Sequence, residues 1–439
     1  MALPPGPALP APLQTLRLMV RPVPLMERCR REYGDSFTLR VVPLGEMVFI
    51  SDPPSLKALF SADRVNTIAK GRNLVLAPLL GHRSLLVQEG EEHLSRRRLM
   101  LPPFHGERMR AYEEVMEEAT EREIDSWPLG SPFRLHASMQ AITLEVIMQA
   151  VFGVAEGRRE ALRLALLDIL AAVRSPATIG VTIRWVRDLP RFRRVLRQVD
   201  RGDALLAAEI AERRADPEVG SREDILSMLI TARDEDGNGM DDAELRDQLM
   251  TLLLAGHETT ATALAWTFEL LFRRPDALAR ARDEAEAGEE TTYIDAVITE
   301  ALRIRPVVPF VGRELRRPAT LGGNELPAGT AVFPSIYLAH TNPEAFPDPY
   351  AFRPERFLDE APETYSWIPF GGGTRRCIGA AFAQFEMRVV LRAVLRRAVL
   401  RSASAEPERI VRRNVTLAPL NGTPAILADR ESRRTPVAA

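Results

Sequence analysis

Of the two cysteines in the chain, Cys29 and Cys377, only the second has neighbours that could make it reactive. It stands in "FGGGTRRCIGA", Phe370 to Ala380, just before a long apolar run. Gly371, Gly372, Gly373 and Gly379 permit tight turns and the close approach of a flat ligand. The apolar run predicts a helix from about Ile378 to Val399, whose N-terminal N–H groups and dipole favour a thiolate. Arg375 and Arg376 add positive charge. An isolated cysteine is otherwise a small buried hydrophobe, which is the reading for Cys29. No second Cys or His lies close enough in sequence for a tetrahedral zinc site. One thiolate, a flat ligand and a basic neighbour fit haem.

Three further patterns carry polar chemistry. "AGHETT", Ala255 to Thr260, interrupts an apolar stretch. Gly256 weakens a helix by about 1 kcal/mol relative to Ala, and unpaired polar groups in an apolar setting are costly. The pattern reads either as a solvent-facing patch or as a local opening over a cofactor, with Glu258 and Thr259 relaying protons. A zinc-protease reading of "HE" needs a second His at position 261, where Ala261 stands. "TEALRIRP" sets Glu300 and Arg303 three apart on one helix face, a weak surface pair in isolation; "PERF" downstream offers Arg356 as a second arginine for the same carboxylate. "EEHLSRRRLMLPPF" sets His93 and Arg97 four apart, either as a solvated face or as donors aimed at carboxylates.

The elements that must position these residues are mostly helices. Asp241 and Glu244 form a capping-box pattern that opens a helix of over thirty residues, closed by Pro275. It is apolar on all sides after Leu249, so it should cross the middle of the molecule. Phe37–Val42 and Met47–Ile50 read as a hairpin around "PLGE", and short strands return near "TLGGNELPAGTAVFPSIYL". An irregular, proline-rich stretch spans Asn342 to Pro369. Residues 1–25 read as an extended proline-rich strap, and 26–439 as one mainly α domain with small β-sheets.

The bulk numbers agree: 439 residues, 46% hydrophobic and 27% charged, suit a large globular core. A net charge of −2 gives no reason to expect nucleic acid as a partner. Two cysteines make no disulfide framework and suit a reduced, cytoplasmic setting. The N-terminus has neither a membrane anchor nor a signal-peptide layout.

In this order and spacing the motifs resemble the cytochrome P-450 superfamily of haem-thiolate monooxygenases, over nearly the whole chain. Phe370, Gly373, Arg375, Cys377 and Gly379 match the signature; "AGHETT", Glu300–Arg303 and "PERF" complete the set. The resemblance implies a single large P-450 fold with haem b between the long central helix and the cysteine-loop helix. It implies Cys377 as the iron ligand, with Phe370, Gly371, Gly379, Ala255 and Gly256 around the cofactor. His93, Arg97, Arg313 and Arg375 would meet the haem propionates. Thr259 and Glu258 would supply protons for the activation of O2. Glu300, Arg303 and Arg356 would clamp the cysteine loop.

The implied reaction is RH + O2 + 2 e⁻ + 2 H⁺ → ROH + H2O. No segment is left for a fused reductase. A separate ferredoxin-type donor, with its own reductase, is expected to dock near the cysteine, with Arg96, Arg98, Arg376 and Arg388 as candidate contacts. The segments implied to line the pocket, "NLVLAPLLGHRSLLV", "LLDILAAVRSPATIGVTIRWV", "MTLLLAG" and "PVVPFV", are apolar. They predict a hydrophobic small-molecule substrate, with "SPATIG" as a mobile lid turn. A monomer is expected. A peroxide-driven or other non-monooxygenase haem-thiolate enzyme, and more remotely a gas-sensing haem protein, stay open as alternatives.

Overall fold

The computed structural model describes residues 3–68, 77–104, 108–153, 158–173, 190–288 and 290–431. Its helices of five residues or more are α1 (Ala11–Val20), α2 (Pro22–Tyr33), α3 (Pro53–Ser61), α4 (Gly90–Met100), α5 (Glu113–Ser126), α6 (Leu135–Phe152), α7 (Arg158–Val173), α8 (Pro190–Ala215), α9 (Ile225–Thr231), α10 (Asp242–Phe272), α11 (Pro275–Ala287), α12 (Thr292–Ile304), α13 (Ile336–His340) and α14 (Ala380–Arg397). Residues 1–25 are therefore not an extended strap throughout: α1 and the start of α2 fall inside them. Prolines at the first turns of both helices, where no N–H is needed, allow this.

The strands of the main sheet are β1 (Ser36–Val41), β2 (Gly45–Ile50), β3 (Thr67–Ile68), β5 (Arg313–Leu315) and β8 (Ala331–Pro334), in the order β1-β2-β8-β5-β3. β4 (Pro132–Arg134) lies with β9 (Ala398–Ser402) and β12 (Pro424–Arg430) in a second sheet. The pairs β6–β7 (Ala319–Leu321, Asn324–Leu326) and β10–β11 (Ile410–Arg413, Thr416–Pro419) complete the set. The predicted hairpin is β1–β2, with Ser36 opposite Ile50.

Helix starts follow their caps. The carboxylates of Asp52, Asp224 and Asp241 accept the N–H groups of Ser55, Ser227 and Glu244. α10 is the axle of the fold. It is buried on nearly all sides and packs against α6, α8, α12 and α14. α6 is long and apolar enough to cross a membrane by length and composition, but most of it is buried against α10 and its neighbours, as in a core helix.

Candidate active site

Cys377 leaves the 3-10 turn Gly373–Arg375 and precedes α14 by three residues. Its backbone N–H donates to the carbonyl of Phe370 at 2.9 Å, which closes the loop into a compact ring. Phe370 in turn meets Trp367 edge to face at 6.2 Å between centroids. The Cys377 surface is exposed, although protein surrounds it closely enough to desolvate the thiol; it lines a concave wall. Burial pushes the thiol pKa up. The Gly379 N–H, Arg97 and Arg376 pull the other way without overtaking it. The expected conditions for a thiolate are thus present, but desolvation outweighs them. A bound metal cation would favour the thiolate.

The glycines of the loop divide by role. Gly371 and Gly373 hold φ of +69° and +67°, which side-chain-bearing residues seldom adopt. A Cβ on Gly372 would meet the Phe60 ring at 2.5 Å, and one on Gly373 would meet the Asp63 carboxylate at 2.5 Å. Both clear protein neighbours rather than a ligand. Gly371 and Gly379 have open space where a Cβ would point, and Gly379, two residues from Cys377, leaves room there for a flat group.

On α10 the expected opening at "AGHETT" does not occur: the helix is continuous from Asp242 to Phe272. Thr259 Oγ1 instead donates to the Ala255 carbonyl at 2.7 Å, and a Cβ on Gly256 would touch Ile147 at an ordinary 3.4 Å. In this otherwise buried helix Ala255 is exposed, and Leu254, Gly256, Glu258 and Thr259 are half-buried. The turn leaves its surface open in the middle of a long buried helix. Gln140 of α6 donates to Glu258 Oε2 at 2.6 Å and holds that carboxylate in place.

The four sequence-predicted cations converge. His93 is buried on α4, one turn before Arg97. Its pKa is pushed down to about 3, first by burial and then by Arg375 and Arg97, with a smaller push from Arg313. Burial first, and the neighbouring arginines second, keep the imidazole neutral. Arg97 is partly buried and has no hydrogen-bond or ionic partner among the described residues. Arg375 donates to the carbonyls of Gln88 and Leu85. Arg313 is already taken: its Nε donates to Asp63 Oδ1 at 2.7 Å, and a terminal nitrogen reaches Gly372 O at 3.2 Å. Asp63 went unnoticed in the sequence because nothing local marks it.

The predicted clamp forms. Arg303 meets Glu300 through two bonds of 2.6 and 2.8 Å, and Arg356 Nε donates to Glu300 Oε1 at 3.1 Å. What it grips differs from expectation. Arg303 also donates to the carbonyls of His340 and Pro349, and the Arg353 N–H donates to Glu300. The segment fixed directly is therefore 349–356. The cysteine loop is tied on by His340, whose Nε2 accepts the Ile368 N–H at 2.7 Å, and by Trp367, which donates to Thr299 O.

Of the candidate docking arginines, three are spent on acids. Arg96 pairs with Glu244 at 2.6 Å, Arg98 with Glu235 at 2.5 Å and Arg388 with Asp295 at 2.6 Å. Arg376 is exposed and has no ionic partner among the described residues. The "SPATIG" turn lies outside the described residues, as does part of each of the first two pocket-lining segments.

A thiol on a concave wall, a neighbouring cluster of buried cations and a mainly helical frame define a haem-protein class of site. The comparisons agree. The cytochrome P450 family model matches residues 4–423. Cytochrome P450 135B1 of Mycobacterium tuberculosis is 42% identical over 429 residues, covering 96% of this chain and 90% of that protein. Cytochrome P450 137 of the same species is 40% identical, covering 91% and 84%. The structure of a retinoic acid-bound cyanobacterial CYP120A1 superposes with a TM-score of 0.85 at 26% identity, covering 97% and 99%. The chain belongs to the cytochrome P450 family, a family of haem-thiolate monooxygenases.

Proposed function

We propose that this protein is a monooxygenase that inserts one oxygen atom of O2 into a hydrophobic small molecule, with electrons from a separate ferredoxin-type carrier, in the cytoplasm. The observation that carries the reading is the placement of Cys377, on a concave wall within electrostatic reach of Arg97, itself next to His93 and Arg375. The donor set fits haem b: one sulfur for the metal and a cluster of cations for two carboxylates. The open space at Gly379 and the exposed surface at Ala255 suit a flat body. When bound, the haem would supply the oxygen-activating redox chemistry.

The chain's own residues do the rest. Cys377 Sγ would ligate the iron, while Arg97, Arg375 and neutral His93 hold carboxylates by hydrogen bonds and Arg313 sits behind them with Asp63. Thr259 rests its hydroxyl proton on the Ala255 carbonyl, and turning it toward the cleft costs one hydrogen bond. Glu258, steadied by Gln140, stands next in line to replace that proton. The segments around Leu252, Leu254 and Val307 are apolar and favour a hydrophobic substrate. The structural relative bound to retinoic acid, a carboxylic acid on a long apolar body, supports that class. Arg376 is the best-placed charge for an acidic electron carrier.

The reduced, carbon monoxide-bound spectrum tests the assignment. The native protein is expected to give a Soret band at about 450 nm, from a thiolate ligand, and Cys377→Ser to lose it. A band that survives the substitution makes the ligand assignment wrong.

A further inference from the structure

Asp63 is the most deeply buried carboxylate of the cation cluster, where Glu89 also lies 4.0 Å from Arg375, and it holds three elements at once. Its Oδ1 accepts from Arg313 Nε at 2.7 Å, and its Oδ2 accepts from Thr374 Oγ1 at 3.0 Å. Thr67 Oγ1 also donates to it. The Asp63 side chain is 1% exposed and that of Arg313 5%. The loop is shaped around it: Gly373, at φ +67°, leaves only 2.5 Å between an imagined Cβ and the Asp63 carboxylate. Gly372 gives the same room to Phe60, whose ring lies 5.8 Å from the Arg313 guanidinium. The segment 60–63 thus presses into the cysteine loop where only glycine fits. Arg313 comes from β5, Thr374 from the turn next to Arg375, and Asp63 from the short helix after α3.

We propose that Asp63 is a positioning residue of the haem site. Its carboxylate locks Arg313 and Thr374 in one geometry, which fixes Arg375 beside the carboxylates it must meet. Its charge also cancels that of Arg313, leaving Arg97 as the cation with no partner among the described residues and Arg375 held by the Leu85 and Gln88 carbonyls with Glu89 at 4.0 Å. Breaking one side of a buried pair leaves the other charge stranded, so the effect should reach the cofactor through electrostatics as well as geometry. The proposal rests on the haem reading above.

The test uses the purified holoenzyme. Asp63→Asn keeps an oxygen for Arg313 and Thr374 but removes the charge, Asp63→Ala removes both, and a double variant pairs Asp63→Asn with Arg313→Gln. Two quantities are read: haem transfer rate to an acceptor globin and midpoint potential. Asp63→Ala is expected to lose haem at least about tenfold faster than the native protein. Asp63→Asn should raise the potential, because an uncompensated guanidinium near the cofactor favours the added electron. The double variant should return the potential toward native, since the two charges cancel as a pair. If Asp63→Asn keeps the native potential and the double variant shows no compensation, the carboxylate is only a structural anchor and the proposal is wrong. A native protein that takes up no haem overturns the functional reading, and this proposal with it. A native protein that binds haem while the Asp63 variants match it in both quantities overturns this proposal alone.

Discussion

The clamp of Glu300, Arg303 and Arg356 and the cradle of His93, Arg97, Arg313 and Arg375 are both built on buried or half-buried arginines, and they differ most between Arg303, whose donors are all taken, and Arg97, which has no partner among the described residues. In the clamp, the Glu300 and Arg303 side chains are 0% exposed, and their charged groups meet a carboxylate, a guanidinium or a backbone group. His340 continues the pattern: its Nδ1 faces the Arg303 carbonyl at 3.1 Å and its Nε2 accepts the Ile368 N–H. That tautomer is neutral. Burial pushes the His340 pKa down to about 3, with Arg303 adding to it. In the cradle, Arg97 has no partner among the described residues, and His93 is crowded by like charge. Desolvated cations without acceptors are costly. A guanidinium as fully bonded as that of Arg303 is a finished structural part; one left unbonded, as in Arg97, is the shape of a ligand's counter-charge.

The largest expected effect breaks the saturated side. Arg303→Ala takes the two-bond partner from the buried Glu300, leaving it Arg356 and the Arg353 N–H, and frees the carbonyls of His340 and Pro349, which should cost about 3–5 kcal/mol of folding stability. Chemical denaturation, with or without added haem, measures it. A loss that disappears when haem is supplied would place the clamp on the ligand side of the comparison.

An intermediate effect is expected at a site that belongs to neither. Glu386 on α14 is 2% exposed, and its Oε1 has no partner among the described residues. Burial pushes its pKa up to about 8, opposed only by a hydrogen bond from Thr260. The folded protein therefore holds this proton to higher pH than the unfolded chain. Its contribution to stability is present at acid pH, falls as pH rises above the ordinary glutamate range, and is gone past about 8. Glu386→Gln, neutral at all pH, should gain on the native protein across that window by on the order of 2–3 kcal/mol. Denaturation midpoints at pH 5 and pH 9 measure it. Equal gains at both would show that the carboxyl does not titrate.

How much of this was legible in sequence follows from the reach of each contact. The clamp could be read because Glu300 and Arg303 share one helix turn and "PERF" marks the second arginine. The cysteine loop could be read because its glycines and arginines are contiguous. Asp63, His340 and Trp367 could not, since each is a single residue whose partner lies elsewhere in the chain: Asp63 meets Thr374 across 311 positions. The same blindness hid the acidic partners of Arg96, Arg98 and Arg388, because Glu244, Glu235 and Asp295 come from other elements. "AGHETT" misled for a different reason. A glycine and three polar residues suggested a break, but Thr259 bonds back to the Ala255 carbonyl and leaves the helix whole.

The smallest effect on folding is expected from Arg97→Leu, and it sharpens the comparison most. A leucine keeps the packing of the arginine stem and removes a desolvated charge, so the haem-free protein should change by no more than about 0.5 kcal/mol. His93 would lose one of the charges that depress it, so its pKa should rise from about 3. The Cys377 thiol would lose a favourable neighbour and shift further up. Only the holoenzyme should suffer. The loss of one charge-assisted hydrogen bond to a carboxylate should speed haem transfer about tenfold. Histidine titration by NMR and haem transfer to an acceptor globin give the two readings. If Arg97→Leu destabilised the haem-free protein as strongly as Arg303→Ala, the cradle would be a second structural lock, and the unsatisfied arginine would no longer point to a ligand.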